Sequence, residues 1–270
     1  MYDLIRLFEN GVNDMNENMK AELKEKIKKI GENYKKKANA FDAAEKARES
    51  GDYEKAKKLY LEAIDLGDIE AANNLGTMYM NGLLNGGKRD FENAEKYYLI
   101  GAEKGKKNCY ANLGNLYEVR DRDYKKAYEY YLKACDGKYA WPVYKIGVLF
   151  MFGNLGKVNY ELALHYLTLA DKLGYDDVYH LGVMYLYNLG GLTNNVDMGI
   201  ELLKSRCKDD ICDKDSAIDL AWYYSTIDDK ENAEIYIDLA IKYGYENARE
   251  RIEKKLKDFD YSLYGGEDNE

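Results

Sequence analysis

Apolar residues along the chain recur at three- and four-residue intervals, and they come in blocks of similar layout. In residues 74–105, NLGTMYMNGLLNGGKRDFENAEKYYLIGAEKG, Leu75-Gly76 and Tyr79 are followed by Asp90, Ala94, Tyr97-Tyr98 and Gly105. Such intervals put side chains on one face of a helix, whereas a strand would alternate. The block predicts a helix, a glycine-bearing connection and a second helix.

Ala56, Ala94, Ala127, Ala163, Gly199 and Ala233 each open a second helix in successive blocks, and Asp52, Asp90, Asp123, Asn159, Asn195 and Asp229 stand four residues earlier. Asp and Asn are strong N-caps, because the side-chain oxygen accepts from an unpaired N–H of the first turn and stabilises by about 1 kcal/mol. Glu54, Glu92, Glu161, Asp197 and Glu231 follow, where negative charge suits the helix dipole. Four residues after the openers come Tyr60, Tyr98, Tyr131, Leu167, Leu203 and Ile237; seven after come Ala63, Gly101, Ala134, Ala170, Arg206 and Ala240. Large and small residues thus share one face, as nesting helices require. Arg206 breaks the rule. Together with Gly199 and the CKDDICD segment it marks a degenerate repeat, with distorted stacking expected.

The first helices carry Leu75-Gly76, Leu113-Gly114, Ile146-Gly147, Leu181-Gly182 and Leu220-Ala221, with Tyr79, Tyr117, Phe150, Tyr185 and Tyr224 three positions on. A helical glycine costs roughly 1 kcal/mol against alanine, so its recurrence implies close helix–helix approach. Before the repeats, Leu23, Ile27, Ile30, Tyr34, Ala38 and Phe41 form one stripe. This predicts a long helix, or two abutting at Gly31, covering the exposed core of the first repeat. At the far end Ala248, Ile252, Leu256 and Phe259 predict a closing helix, and the polar tail GGEDNE is expected to be disordered.

The L-G-x-x-Y and A-x-x-x-Y spacing resembles the tetratricopeptide repeat signature. The connections NGLLNGGKRD, FGNLGKVN and NLGGLTNN make the chain similar to the related Sel-one-like repeat. The resemblance implies an all-α solenoid, a right-handed superhelix of about six helix-turn-helix repeats with helical caps. The expected divisions are a lysine-rich cap over 1–37, the repeat array over 38–247, and a closing helix with acidic tail over 248–270.

Composition agrees. One proline in 270 residues fits an all-helical chain, and no apolar run approaches the length needed to span a bilayer. The N-terminal MYDLIRLFENG carries Asp3, Arg6 and Glu9, which does not suit a secretory leader, so a cytoplasmic location is expected. Cys109, Cys135, Cys207 and Cys212 form no CxxC and no framework, and are read as reduced and mostly packed. The net charge is −9, of which residues 20–37 contribute +5 from eight lysines against Glu22, Glu25 and Glu32; the rest of the chain carries −14. Such an acidic body repels phosphates, so direct nucleic-acid binding is not expected, nor is a membrane association.

The family resemblance implies a concave groove lined by the first helices that binds a peptide or protein. Carried over by position, its amide-rich part comprises Asn73, Asn74, Asn81, Asn112 and Asn115. Its aromatic and apolar part comprises Tyr144, Val148, Met151, Phe152, Tyr179, Val183, Leu186, Tyr187 and Trp222, with His180 alongside. Amides suit an extended backbone, and an apolar patch of this kind would be costly to expose without a partner or cover. Tyrosines at repeat-core positions, such as Tyr60, Tyr98 and Tyr131, need no ligand.

Catalytic material is sparse: two histidines, His165 and His180, no zinc-ligand spacing around Cys207 and Cys212, and no phosphate-binding glycine motif. The expectation is a non-enzymatic interaction module without cofactor or metal. The alternative is an acidic, inhibitor-like protein that blocks a basic site on a nucleic-acid-handling partner. Moderate salt would weaken that complex strongly and leave an apolar contact nearly unchanged.

Overall fold

The computed structural model describes residues 17–135, 138–191, 195–208 and 211–257. The chain divides into two compact units, Met1–Ala134 and Cys135–Glu270. The first contains α1 (Glu17–Glu49), α2 (Tyr53–Asp65), α3 (Ile69–Met80), α4 (Phe91–Glu103), α5 (Lys107–Arg120) and α6 (Tyr124–Ala134). The second contains α7 (Ala140–Met151), α8 (Tyr160–Lys172), α9 (Tyr179–Leu186), α10 (Val196–Ser205), α11 (Lys214–Thr226), α12 (Lys230–Lys242) and α13 (Ala248–Lys257). Between α10 and α11 a small antiparallel hairpin joins β1 (Cys207–Lys208) to β2 (Ile211–Cys212). The architecture is an all-α solenoid of helix pairs, each second helix packing on the first helix of its own pair.

The caps form where the spacing places them. Asp52, Asp90, Asp123, Asn159 and Asp229 accept from the backbone N–H three residues on, at 2.9–3.2 Å. Asn195 stands at the N-cap of α10 without making that bond. Asp68 and Asp213 cap the first helices α3 and α11 in the same way.

The recurrent glycines mark close approaches within the pairs that carry them. A Cβ on Gly76 would lie 2.8 Å from the Tyr98 ring, on Gly114 2.6 Å from Tyr131, and on Gly147 and Gly182 2.8 Å from Leu167 and Leu203. The aromatic three residues after Gly76, Gly114, Gly147 and Ala221 then lies flat on an aromatic of the second helix. Tyr79 stacks on Tyr97 with centroids 5.7 Å apart, Tyr117 on Tyr130 at 5.4 Å, Phe150 on Tyr166 at 5.8 Å and Tyr224 on Tyr236 at 5.7 Å. Offset ring pairs of this kind add about 1 kcal/mol beyond their burial. In α9–α10 the second ring is missing, since Leu202 holds the place of Tyr97.

Two expectations need correction. First, α1 is one continuous helix through Gly31, and its stripe is covered only at the C-terminal end. Phe41 packs edge-on against Tyr60, whereas Ile27, Ile30 and Tyr34 are exposed. At 1.5 Å per residue the 33 residues of α1 far outrun the 13 of α2, so α2 is too short to cover the rest. Second, Cys207 and Cys212 are joined in a disulfide that closes the hairpin, while Cys109 and Cys135 are not disulfide-bonded. The two cysteines face each other in the β1–β2 register, a pairing that spacing alone does not show. At the degenerate repeat, Arg206 is the C-cap of α10 and bonds to Asp177 Oδ1 at 2.7 Å and Ser216 Oγ at 3.1 Å, with Asp213 at 3.3 Å.

At the C-terminal end α13 buries Ala248 and Ile252, as its stripe requires; Phe259 and the GGEDNE tail lie outside the described residues, as does the MYDLIRLFENG segment. Among the described residues no helix is long and apolar enough to cross a membrane.

Candidate functional site

The first helices present their residues two and three positions before the glycine, or Ala221, to the neighbouring repeat. In the first unit, Asn112 Nδ2 donates to Asn73 Oδ1 at 2.9 Å, and the Cys109 thiol approaches the same oxygen at 3.5 Å. Asn74 Nδ2 donates to Glu45 Oε1 on α1 at 2.7 Å. Burial opposes ionisation of Glu45, but bonds from Arg48, Tyr60 and Asn74 outweigh it and hold the carboxyl below its ordinary value.

The second unit repeats the register with different chemistry. The Tyr144 hydroxyl meets His180 Nδ1 at 2.7 Å, and the Tyr179 hydroxyl donates to Asp219 Oδ2 at 2.7 Å. Tyr187 adds a second bond to Asp219, at 3.1 Å. In Asn73–Asn112, Tyr144–His180 and Tyr179–Asp219, the residue three before the small position bonds to the residue two before it in the next repeat. Identical offsets make this a ladder that fixes how neighbouring first helices align.

Electrostatics follow from burial. His180 is pushed below its ordinary pKa by desolvation, with Asp177 opposing and Lys145 and Arg206 reinforcing. Asp219 is raised by burial and drawn back by the Tyr179 and Tyr187 hydroxyls, while burial and the nearby Asp219 charge raise Tyr179. His180 is therefore a neutral ring at neutral pH, able to take part in the Tyr144 bond without a buried charge.

The residues named from the sequence separate by exposure. Asn73, Tyr144 and Met151 are buried, and Leu186 with them, so the apolar surface is smaller than the sequence suggests. Asn74, Asn112, Asn115, Tyr179, His180, Tyr187 and Trp222 are half-buried. Asn81, the C-cap of α3, is exposed. Phe152, the C-cap of α7, is 59% exposed and meets the His180 ring edge-on at 5.6 Å. His180 in turn meets Tyr179 at 5.1 Å and Tyr144 at 5.6 Å, so the second unit gathers Tyr144, Phe152, Tyr179 and His180 into one aromatic cluster. Trp222 lies under Lys255 of α13, 4.9 Å from ring to ammonium. Among the described residues no three His, Cys, Asp or Glu side chains are placed to hold a metal.

Sequence reasoning missed the ladder. Its signal was present in the constant offset before each glycine, but asparagine, tyrosine, histidine and aspartate do not look alike until their partners are visible. Tyr175, whose ring lies 4.3 Å from Tyr144, carried no signal at all.

Comparison with known proteins agrees with the repeat fold. The model of the Sel1 repeat matches residues 47–68, 69–106, 108–139, 143–175 and 178–205. The α11–α12 pair, a sixth repeat by spacing, lies beyond these matches. No curated protein gives a significant match. Among solved structures, a Sel1 repeat protein from Oxalobacter formigenes superposes with a TM-score of 0.63 at 21% identity, over 77% of this chain and 86% of that one. The protein c5321, a protective antigen of uropathogenic Escherichia coli strains displaying an SLR fold, gives 0.54 at 20% identity, over 80% of this chain and 54% of its own. With five repeats matched across more than half of its length, this chain belongs to the Sel1 repeat family.

Proposed function

We propose that the chain is a non-catalytic binding protein whose partner, a peptide or folded protein, docks on the first-helix face of the second unit with an apolar anchor against Phe152, His180 and Trp222. Sel1 repeat proteins generally mediate protein–protein interaction, and the family is typically a non-catalytic scaffold. The observation that carries the reading is Phe152. It is a large apolar side chain held out to solvent edge-on against His180, whose Nδ1 is bonded to the Tyr144 hydroxyl. Exposed aromatic surface that is already ordered loses little conformational freedom on binding, which favours it as an anchor.

Site-specific photocrosslinking in the native cell tests this. A photoreactive residue at position 152 is compared with one at Ile235, on α12 and 49% exposed. A discrete partner captured from position 152 and absent from 235 supports the reading; identical products from both, or none from 152, overturn it. The captured complex is expected to survive about 0.5 M salt, where exposed ion pairs are screened, which separates an apolar anchor from an acidic-surface contact.

A further inference from the structure

The uncovered stripe of α1 is an interaction surface of a different kind. Ile30 and Tyr34 are 69% and 67% exposed, Ile27 is 49% exposed, and half-buried Leu23 continues the line one turn earlier. A concavity of about 300 Å³ opens beside Ile30 and Tyr34, bounded by Lys29, Asn33, Lys37 and Leu66. Leu23, Ile27, Ile30 and Tyr34 are spaced by four, three and four, the seam of a helix that pairs with another segment.

The flanks say what kind of segment. Eight lysines between Lys20 and Lys37 leave this stretch at +5. Two copies of α1 laid seam to seam would bring together two stretches of +5 each, which repel one another. An acidic segment with aromatic anchors has the opposite sign and the right side chains. The chain itself contains one: residues 258–270, DFDYSLYGGEDNE, carry Asp258, Asp260, Glu267, Asp268 and Glu270 with no basic residue, alongside Tyr261, Leu263 and Tyr264. The two segments are matched at +5 and −5.

We propose that residues 258–270 of one molecule dock on the α1 stripe of a second copy, joining molecules head to tail. The charge match of the two segments carries the assignment, and docking within one molecule is an outcome that the test separates from it. Such a contact uses different surfaces on its two partners, so it propagates into chains or closes into a ring instead of stopping at a symmetric dimer.

Sedimentation of the full chain tests the proposal. The weight-average mass is expected to rise with concentration past that of a dimer, and to fall when ionic strength is raised from about 0.05 to about 0.5 M. Ile30→Asp/Tyr34→Asp, at exposed positions that leave the core intact, and separately Tyr261→Ser/Tyr264→Ser, should each hold the chain monomeric. A synthetic DFDYSLYGGEDNE peptide in excess should dissociate the wild-type assembly and bind the Tyr261→Ser/Tyr264→Ser chain. Its affinity for a chain that also carries Ile30→Asp/Tyr34→Asp should be at least about tenfold weaker. A monomer at every concentration, a dimer indifferent to the tail substitutions, or a peptide that binds both chains equally overturns the proposal. The first of these would fit docking within one molecule, the second a pair of α1 helices.

Discussion

The third and fifth helix pairs solve the same packing problem with different materials. In α5–α6, Gly114 admits the Tyr131 ring, whose hydroxyl donates to Glu118 at 2.7 Å, and Tyr117 stacks on Tyr130. In α9–α10 a leucine, Leu203, fills the place of the ring, no aromatic pair forms because Leu202 replaces one partner, and the cap bond from Asn195 is absent. The fifth pair makes up the deficit with groups outside the repeat pattern: the Arg206 bonds to Asp177 and Ser216, the Tyr179–Asp219 and Tyr187–Asp219 bonds, and a disulfide hairpin that closes the exit from α10. A repeat can thus lose its signature contacts and keep its place when neighbouring residues take over the alignment.

The largest expected effect that sharpens this comparison lies at Gly199. A Cβ there would stand 2.4 Å from the Leu186 backbone nitrogen and 2.9 Å from the Gly182 carbonyl oxygen, and backbone atoms cannot swing aside. Gly199→Ala should destabilise by about 3 kcal/mol by urea denaturation, the upper range for overpacking. Gly114→Ala meets a ring instead, and alanine's better helix propensity offsets part of the clash, leaving about 1 kcal/mol. Equal costs would mean that the fifth pair is no tighter than the third.

Removing the Cys207–Cys212 bond by a double serine substitution should cost about 2 kcal/mol, as the loop it closes is short. No change in the urea midpoint would show that the hairpin holds its shape without the bond, and that Arg206 alone manages the irregular connection.

Most of this comparison was legible in the sequence. The Asp and Asn caps, the glycine spacing and the alternation of Tyr60, Tyr98 and Tyr131 with Ala63, Gly101 and Ala134 are local rules, and local rules survive translation into structure. Arg206 announced the degenerate repeat by sitting where alanine belongs. What could not be read depends on pairing between distant positions. The Tyr144–His180 bond joins residues 36 apart and Tyr179–Asp219 residues 40 apart. Whether a tyrosine at such a position binds a partner or its own neighbour is decided by the next repeat, so Tyr144 looked like surface and is core. The length mismatch that bares Ile30 and Tyr34 is likewise a property of α1 against α2, and not of either stripe alone.

A smaller effect comes from His180. Its pKa in the folded chain lies below the ordinary 6.5, so the unfolded chain takes up a proton first on acidification. The stability His180 contributes is present above about pH 6.5 and is lost as pH falls from there towards the folded value. The thermal midpoint of the wild type should therefore drop more steeply below pH 6.5 than that of His180→Gln, which has no proton to gain; parallel curves would remove the buried-neutral reading. Smaller still is Arg206→Ala. It restores the small residue of the repeat pattern, yet should lose up to about 1 kcal/mol, because half-exposed ion pairs contribute little. A gain in stability would mean that the pairs compensate for nothing.

In the proposed function the first-helix face of the second unit divides by exposure: residues bonded to the next repeat hold the structure, and exposed Phe152 is the anchor for the partner. The most direct measurement is the affinity of the partner crosslinked at position 152 for Phe152→Ser beside Tyr144→Phe, each with its thermal midpoint. Phe152→Ser should keep the midpoint and lose at least about tenfold in affinity, the weight of a hot-spot aromatic. Tyr144→Phe should lower stability by about 1 kcal/mol and leave binding unchanged. Unaltered affinity in Phe152→Ser, or its loss in Tyr144→Phe at full stability, would contradict the division.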